Sequence, residues 1–138
     1  MFNMLLIIFT TLFSYMLFFS LVVAPTINGN LTGEERSLIL RKIFPKNFLF
    51  GLSISFVGFL LALNEKQSVG IVFFAFISIF FLINLYVLVP KINKVSGNLR
   101  KSNNGNKNSK IFKKLHFFSV LLYLIQMIIS LTGIYLFF

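Results

Sequence analysis

His116, Ser119, Tyr123, Gln126, Ser130 and Gly133 recur at spacings of 3, 4, 3, 4 and 3 residues. At ~100° per residue they share one face of a helix whose other faces carry Leu, Ile, Val, Met and Phe. An imidazole can ligate a metal or carry a proton near neutral pH, and a phenol and a carboxamide can hold a polar solute. The competing reading is a packing face, because small and weakly polar residues ordinarily join membrane helices. His116 is the only histidine, so a bis-histidine haem site within one chain is excluded, whereas a metal or proton role stays open. Two residues after Lys114, it also suits an interfacial position bonded to a loop carbonyl.

Other chemistry is scarce. The 138 residues include no Cys, and the only acids are Glu34, Glu35 and Glu65. Disulfides, thiolate ligands and paired catalytic carboxylates are therefore out of reach. No nucleophile with a base, no Gly-rich phosphate loop and no metal-ligand spacing occurs, so an enzyme is not expected and no cofactor is predicted. Hydrophobic residues make up 57% and charged residues 12%, with a mean hydropathy of +0.90. Soluble domains carry about 25% charged residues, so this chain has too few to cover a water-facing surface. The net charge of +10 lies beside apolar runs, which favours anionic lipid headgroups over nucleic acid as its partner.

Four apolar runs can cross the ~30 Å hydrocarbon layer as helices: 2–24, 45–63, 69–89 and 115–138. The predicted fold class is all-α, a single four-helix transmembrane domain over 1–138 with a short helix in the first loop. The first run has no Lys or Arg ahead of it and is too long for a signal core, so it is expected to be retained. Pro45 suits a helix start, while Pro25 and Pro90 suit helix exits. Thr32 and Glu35 match a capping box that opens the short helix, over about Gly33–Phe44. Residues 91–114 read as a flexible basic loop, low in complexity over Ser102–Ser109. Asn30-Leu31-Thr32 matches a glycosylation acceptor and is read as chance.

Twelve of the thirteen basic residues lie in or beside the first and third loops; Lys66 alone sits in the second. The positive-inside rule then places those two loops in the cytoplasm and both termini outside, as in a multi-pass bacterial inner-membrane protein. Gly51, Ser55, Gly58 and Ala62 form a small-residue packing face on the second helix. In the first helix Asn3, Thr10 and Ser14 share a face with Ile7, Leu17 and Leu21. Pro25, Thr26, Asn84 and His116 all fall near the basic end of their helices. They are expected to form a polar cluster there under the short helix, with Ser119, Tyr123 and Gln126 extending it inward.

Several strings at the helix ends resemble one family. They are Phe19-Ser20-Leu21-Val22-Val23-Ala24-Pro25-Thr26, Ile43-Phe44-Pro45, Ile83 through Lys91, and Phe112 through Ser119. Together, in this order, they are similar to the transmembrane protein 205-like family, a domain of unknown function. The resemblance implies a compact four-helix membrane domain without an agreed activity. A eukaryotic relative's link to platinum resistance implies handling of metals or small solutes, and distant likeness extends to copper-resistance and haem-pathway membrane proteins. The absence of Cys speaks against a soft-metal site. Three functions follow as expectations: binding or passage of a small solute or ion at the polar cluster, a structural or accessory subunit of a larger membrane complex, and haem or metal binding; the protein partner expected is a second copy in a homo-oligomer or a larger membrane complex.

Overall fold

The computed structural model describes residues 3–101 and 105–138, and the described residues are helical almost throughout. The elements are α1 (Met4–Phe18), a π-helical turn (Phe19–Val23), α2 (Ala24–Asn30), α3 (Gly33–Asn64), α4 (Ser68–Ile83), a second π-helical turn (Asn84–Leu88), α5 (Val89–Lys101) and α6 (Gly105–Phe137). Four continuous stretches are long and apolar enough to cross a membrane: Met4–Asn30, Gly33–Asn64, Ser68–Gly97 and Ser109–Phe137. The protein is thus a multi-pass, all-α membrane protein. Around the bundle the long helices follow the order α1, α3, α4, α6, with α1 also against α6.

The helices run further than the apolar runs alone indicate. The short helix over Gly33–Phe44 forms, but it continues through Pro45 as one 32-residue helix with the second span. Thr32 precedes it without a side-chain cap bond, so the capping box does not close; Gly33, at a left-handed φ of 58°, makes the turn instead. Pro25 and Pro90 do not end their helices either. Each follows directly on a π-helical turn, and the wider turn gives the proline ring room that the carbonyl four residues earlier would otherwise deny it. The chain expected as a loop over 91–114 is helical over 91–101 and 105–114. The centre of the low-complexity segment, 102–104, lies outside the described residues.

Buried positions step by threes and fours on all four helices, as in left-handed bundles. They are Leu5, Phe9, Leu12 and Met16 on α1, and Phe48, Gly51, Ser55, Gly58 and Ala62 on α3. Gly70, Phe74, Ile77 and Phe81 follow on α4, then Ser119, Tyr123, Gln126, Ser130 and Gly133 on α6. Large side chains on α1 and α4 press onto small residues of α3 and α6. A Cβ at Gly58 would lie 2.5 Å from the Phe74 ring, one at Gly133 2.6 Å from Phe9, and one at Gly51 against Tyr15 and Phe81. Phe9 stacks on Phe74 at 4.1 Å and on Phe137 at 5.6 Å, closing one end of the core with aromatic rings.

These buried positions repeat between the two halves of the chain. Leu5, Phe9, Leu12, Met16 and Phe19 correspond to Gly70, Phe74, Ile77, Phe81 and Asn84, each pair 65 positions apart. Gly51, Ser55, Gly58 and Ala62 correspond to Ser119, Tyr123, Gln126 and Ser130, each pair 68 apart. Both halves pass from a long helix through a π-helical turn that opens at Phe19 or Asn84, then a proline, then a second long helix. In the order of helices around the bundle α1 lies diagonal to α4 and α3 diagonal to α6, so the matched helices of the two halves are diagonal pairs.

Candidate functional site

The two ends of the bundle differ in charge. At one end the Asn3 side chain caps α1 at the Leu6 amide and donates to the Phe137 carbonyl at 2.7 Å, beside the turn that carries Lys66. At the other end stand the first turns of α3, α5 and the basic start of α6. The side chains of Arg36, Lys42, Lys46, Lys91, Lys94, Lys107, Lys110, Lys113 and Lys114 are all exposed there.

A cleft of about 460 Å³ opens between α3, α5 and α6 at this basic end. Spacing on α3 explains its walls. Ser37, Leu40, Arg41, Phe44 and Phe48 follow one another by one, three or four residues, so a polar first turn and an apolar second turn share one face. Val89, Ile92, Asn93 and Ser96 do the same from α5, and Phe112, His116 and Ser119 from α6. Arg41 Nη2 donates to Ser96 Oγ at 2.9 Å and so ties α3 to α5 across the cleft. Its Nε is buried without a hydrogen-bond partner among the described residues. Glu34 is the one acid in the lining, against Arg36 and Arg41.

The residues singled out from sequence divide between three places. His116 and Ser119 line the cleft, His116 with its ring parallel to Phe112 at 6.2 Å. Ser119 Oγ donates to Asn84 Oδ1 at 2.7 Å, which joins Asn84 to the cleft floor; Asn84 is fully buried and its Nδ2 has no partner among the described residues. Tyr123 lies one turn deeper, where its hydroxyl accepts from Asn47 Nδ2 at 3.2 Å and its ring is collared by Phe19, Phe48 and Phe81. Gln126 is fully buried at mid-helix, and its Nε2 donates to the Ile77 carbonyl at 2.9 Å. Pro25 and Thr26 sit apart from all of these. They are exposed on α2 and absent from the cleft lining, and the Thr26 carbonyl accepts from Asn30.

Gly51, Ser55, Gly58 and Ala62 are buried in one row where α3 meets α4, and Ser78 donates to Ser55 there at 2.9 Å. The α1 face of Thr10 and Ser14 turns away from the core. The Thr10 and Thr11 hydroxyls return to the Leu6 and Ile7 carbonyls at 2.8 Å, a local bond that lets a hydroxyl face lipid. Around His116 no cluster of three His, Cys, Asp or Glu forms among the described residues.

Sequence reading passed over Arg36, Ser37, Arg41, Asn93 and Ser96. One signal was present: Lys supplies most of the basic residues, yet Arg36 and Arg41 occur within one short segment. Arginine is the residue suited to planar, bidentate recognition.

No curated protein and no solved structure matches the chain. The sequence pattern described as "Domain of unknown function (DUF4149)" matches residues 7–101, from α1 through α5, and the chain belongs to that family.

Proposed function

We propose that this protein binds a small solute or ion in the cleft at its basic end, and that this end faces the cytoplasm of a bacterial inner membrane. The observation that carries the reading is the cleft itself, where two arginines, a histidine and several hydroxyls meet apolar walls at the mouth of a helical bundle. Binding pockets typically have this make-up, apolar walls with a few convergent polar groups. Orientation is argued from the basic residues, twelve against one. The four helix-end strings further align this chain with transmembrane protein 205-like proteins.

The experiment is a ligand screen on detergent-purified protein, read as a rise in thermal unfolding temperature. Ser37→Phe, which fills the cleft, should abolish any rise seen with the parent chain; a rise that survives it would place the ligand elsewhere. Orientation is read by single cysteines placed at Ser37 and at Gln67, since the chain has no native Cys. Reagent applied to intact cells should label position 67 and spare position 37.

A second reading, an accessory subunit or a homo-oligomer, is favoured by the outward row of Thr10, Thr11 and Ser14 on α1. Stoichiometric co-purification with other subunits in mild detergent would support it, whereas a monodisperse single chain would remove it.

A further inference from the structure

We infer that the occupant of the cleft is an amphiphile whose oxyanion head, a phosphate ester or a carboxylate, carries a net negative charge and is held at Arg41 and Arg36. This rests on the reading of the cleft as a solute site and names the class of solute. Arg41 is only half satisfied: one nitrogen meets Ser96 while the buried Nε–H meets nothing among the described residues. Its guanidinium is permanently charged and presents donors alone, so whatever completes it must be an acceptor and is best an anion.

The surroundings point the same way. Arg36 adds a second cation, the hydroxyls of Ser37 and Ser96 can each donate, and the lining includes the first turn of α3, whose free amides favour negative charge. Glu34 opposes one of the two arginines and leaves the lining net positive. Beneath the floor, the Asn84 amide is a further donor without a partner among the described residues. A cation would meet two arginines here, and a neutral solute would leave Arg41 uncompensated. Leu40, Phe44, Phe48, Ile92 and Phe112 then offer an alkyl chain an apolar wall beside the same charges. A carboxylate or a phosphate ester above such a wall can present two oxygens to the fork of a guanidinium.

The test uses the full chain in a neutral detergent, read by native mass spectrometry and thermal unfolding. The probes are dioctanoyl phosphatidylglycerol, dioctanoyl phosphatidylcholine, octyl phosphate, octanoate and inorganic phosphate. Phosphatidylglycerol and at least one simple amphiphilic anion should bind and stabilise, with phosphatidylcholine clearly weaker. Arg41→Gln should weaken anionic binding by ~10-fold or more, and Arg41→Lys by less, because a bidentate contact is lost. Lys113→Gln with Lys114→Gln, exposed and outside the lining, should change it by less than ~2-fold. A preference for phosphatidylglycerol over octyl phosphate assigns a lipid source; equal binding assigns a soluble one. If Arg41→Gln does not fold, Arg36→Gln and Ser96→Ala carry the same expectation. Equal binding of phosphatidylcholine, or full anionic binding by a folded arginine variant, overturns the assignment. If a cation or neutral solute stabilises the protein and Ser37→Phe removes that effect, the oxyanion assignment falls and the cleft reading stands. Silence from every probe, with Ser37→Phe also without effect, removes both.

Discussion

The two halves of the chain share one framework and fill it differently. At equivalent buried positions the first half places Phe19, Gly51, Ser55, Gly58 and Ala62 where the second places Asn84, Ser119, Tyr123, Gln126 and Ser130. His116 likewise stands opposite Phe48. The first half therefore supplies close packing, and the second supplies nearly all the buried hydrogen-bonding groups. Close approach depends on the absence of side chains, and the α3–α4 contact, lined by Gly51, Ser55, Gly58 and Ala62, is the most extensive between helices among the described residues. A polar group inside a membrane bundle is costly unless it is bonded or used. Among the described residues Asn84 Nδ2 and Gln126 Oε1 of the second half are buried without a partner, as are Tyr15 Oη and Arg41 Nε of the first, so each half holds polar groups that packing alone does not call for.

The largest effect is expected from giving the first half a residue of the second. In Gly58→Gln the new side chain must enter the space of Phe74, which is itself stacked on Phe9 and has no free side to move into. Overpacking of this kind costs about 3 kcal/mol, and reversible unfolding in mixed micelles should register it. An unchanged midpoint would mean that α3 and α4 do not need this approach, and the contrast between the halves would lose its physical basis.

A smaller loss is expected at the aromatic collar. Tyr123→Phe keeps the ring among Phe19, Phe48 and Phe81 and removes only the hydroxyl that accepts from Asn47. One net hydrogen bond is worth about 1 kcal/mol, so the same unfolding assay should show a loss of that order. A loss several times larger would mean that the neighbouring Tyr15 hydroxyl also depends on this group.

Much of this architecture could be read from residue types, and what was missed has identifiable causes. The spans were legible because ~20 apolar residues have few other solutions. The row of Ser119, Tyr123, Gln126, Ser130 and Gly133 was legible because a single undistorted helix keeps its period. The helix ends at Pro25 and Pro90 were not, since a π-helical turn shifts the period by one residue and leaves no mark in composition. The repeat hides behind the α3–α6 pairs, whose side chains differ at every position, although Phe9 matches Phe74 and Leu12 matches Ile77. Its one clear trace is that Pro25-Thr26-Ile27-Asn28 and Pro90-Lys91-Ile92-Asn93 share three residues of four. The cluster of Pro25, Thr26, Asn84 and His116 was argued from depth alone, and depth says nothing about which side of a bundle a helix end faces. Thr26 and Asn84 sit on diagonal helices, so α2 carries Thr26 away from the cleft while Asn84 reaches it through Ser119.

Returning the second half toward the first should separate stability from binding. Asn84→Leu replaces the Asn with an apolar residue, as the first half has at Phe19, and removes a buried donor without a partner. Ser119 can then bond within its own helix, as Ser130 does to the Gln126 carbonyl. An unsatisfied buried amide costs about 1–3 kcal/mol, which offsets the bond lost to Ser119, so unfolding should change by under about 1 kcal/mol in either direction. Ligand binding at the cleft floor should nonetheless fall. A variant that is much less stable would show that Asn84 is structural glue, and the polar half would then need no functional explanation.

The smallest effect is expected where neither half has a claim, on the outward row of α1. Thr10 already bonds the Leu6 carbonyl, so Thr10→Val removes a donor whose acceptor keeps its helical bond, and restores an apolar surface to the lipid. Isolated in detergent, the variant should unfold within about 0.5 kcal/mol of the parent, the range of substitutions that touch nothing else. The measurement has a second use. If the same variant is silent in detergent yet loses a companion on purification from membranes, the outward row is contacting protein, and the accessory-subunit reading gains what it lacks. If it is silent in both, the polar groups of α1 are self-contained, and the functional asymmetry of the molecule lies where the halves differ inside.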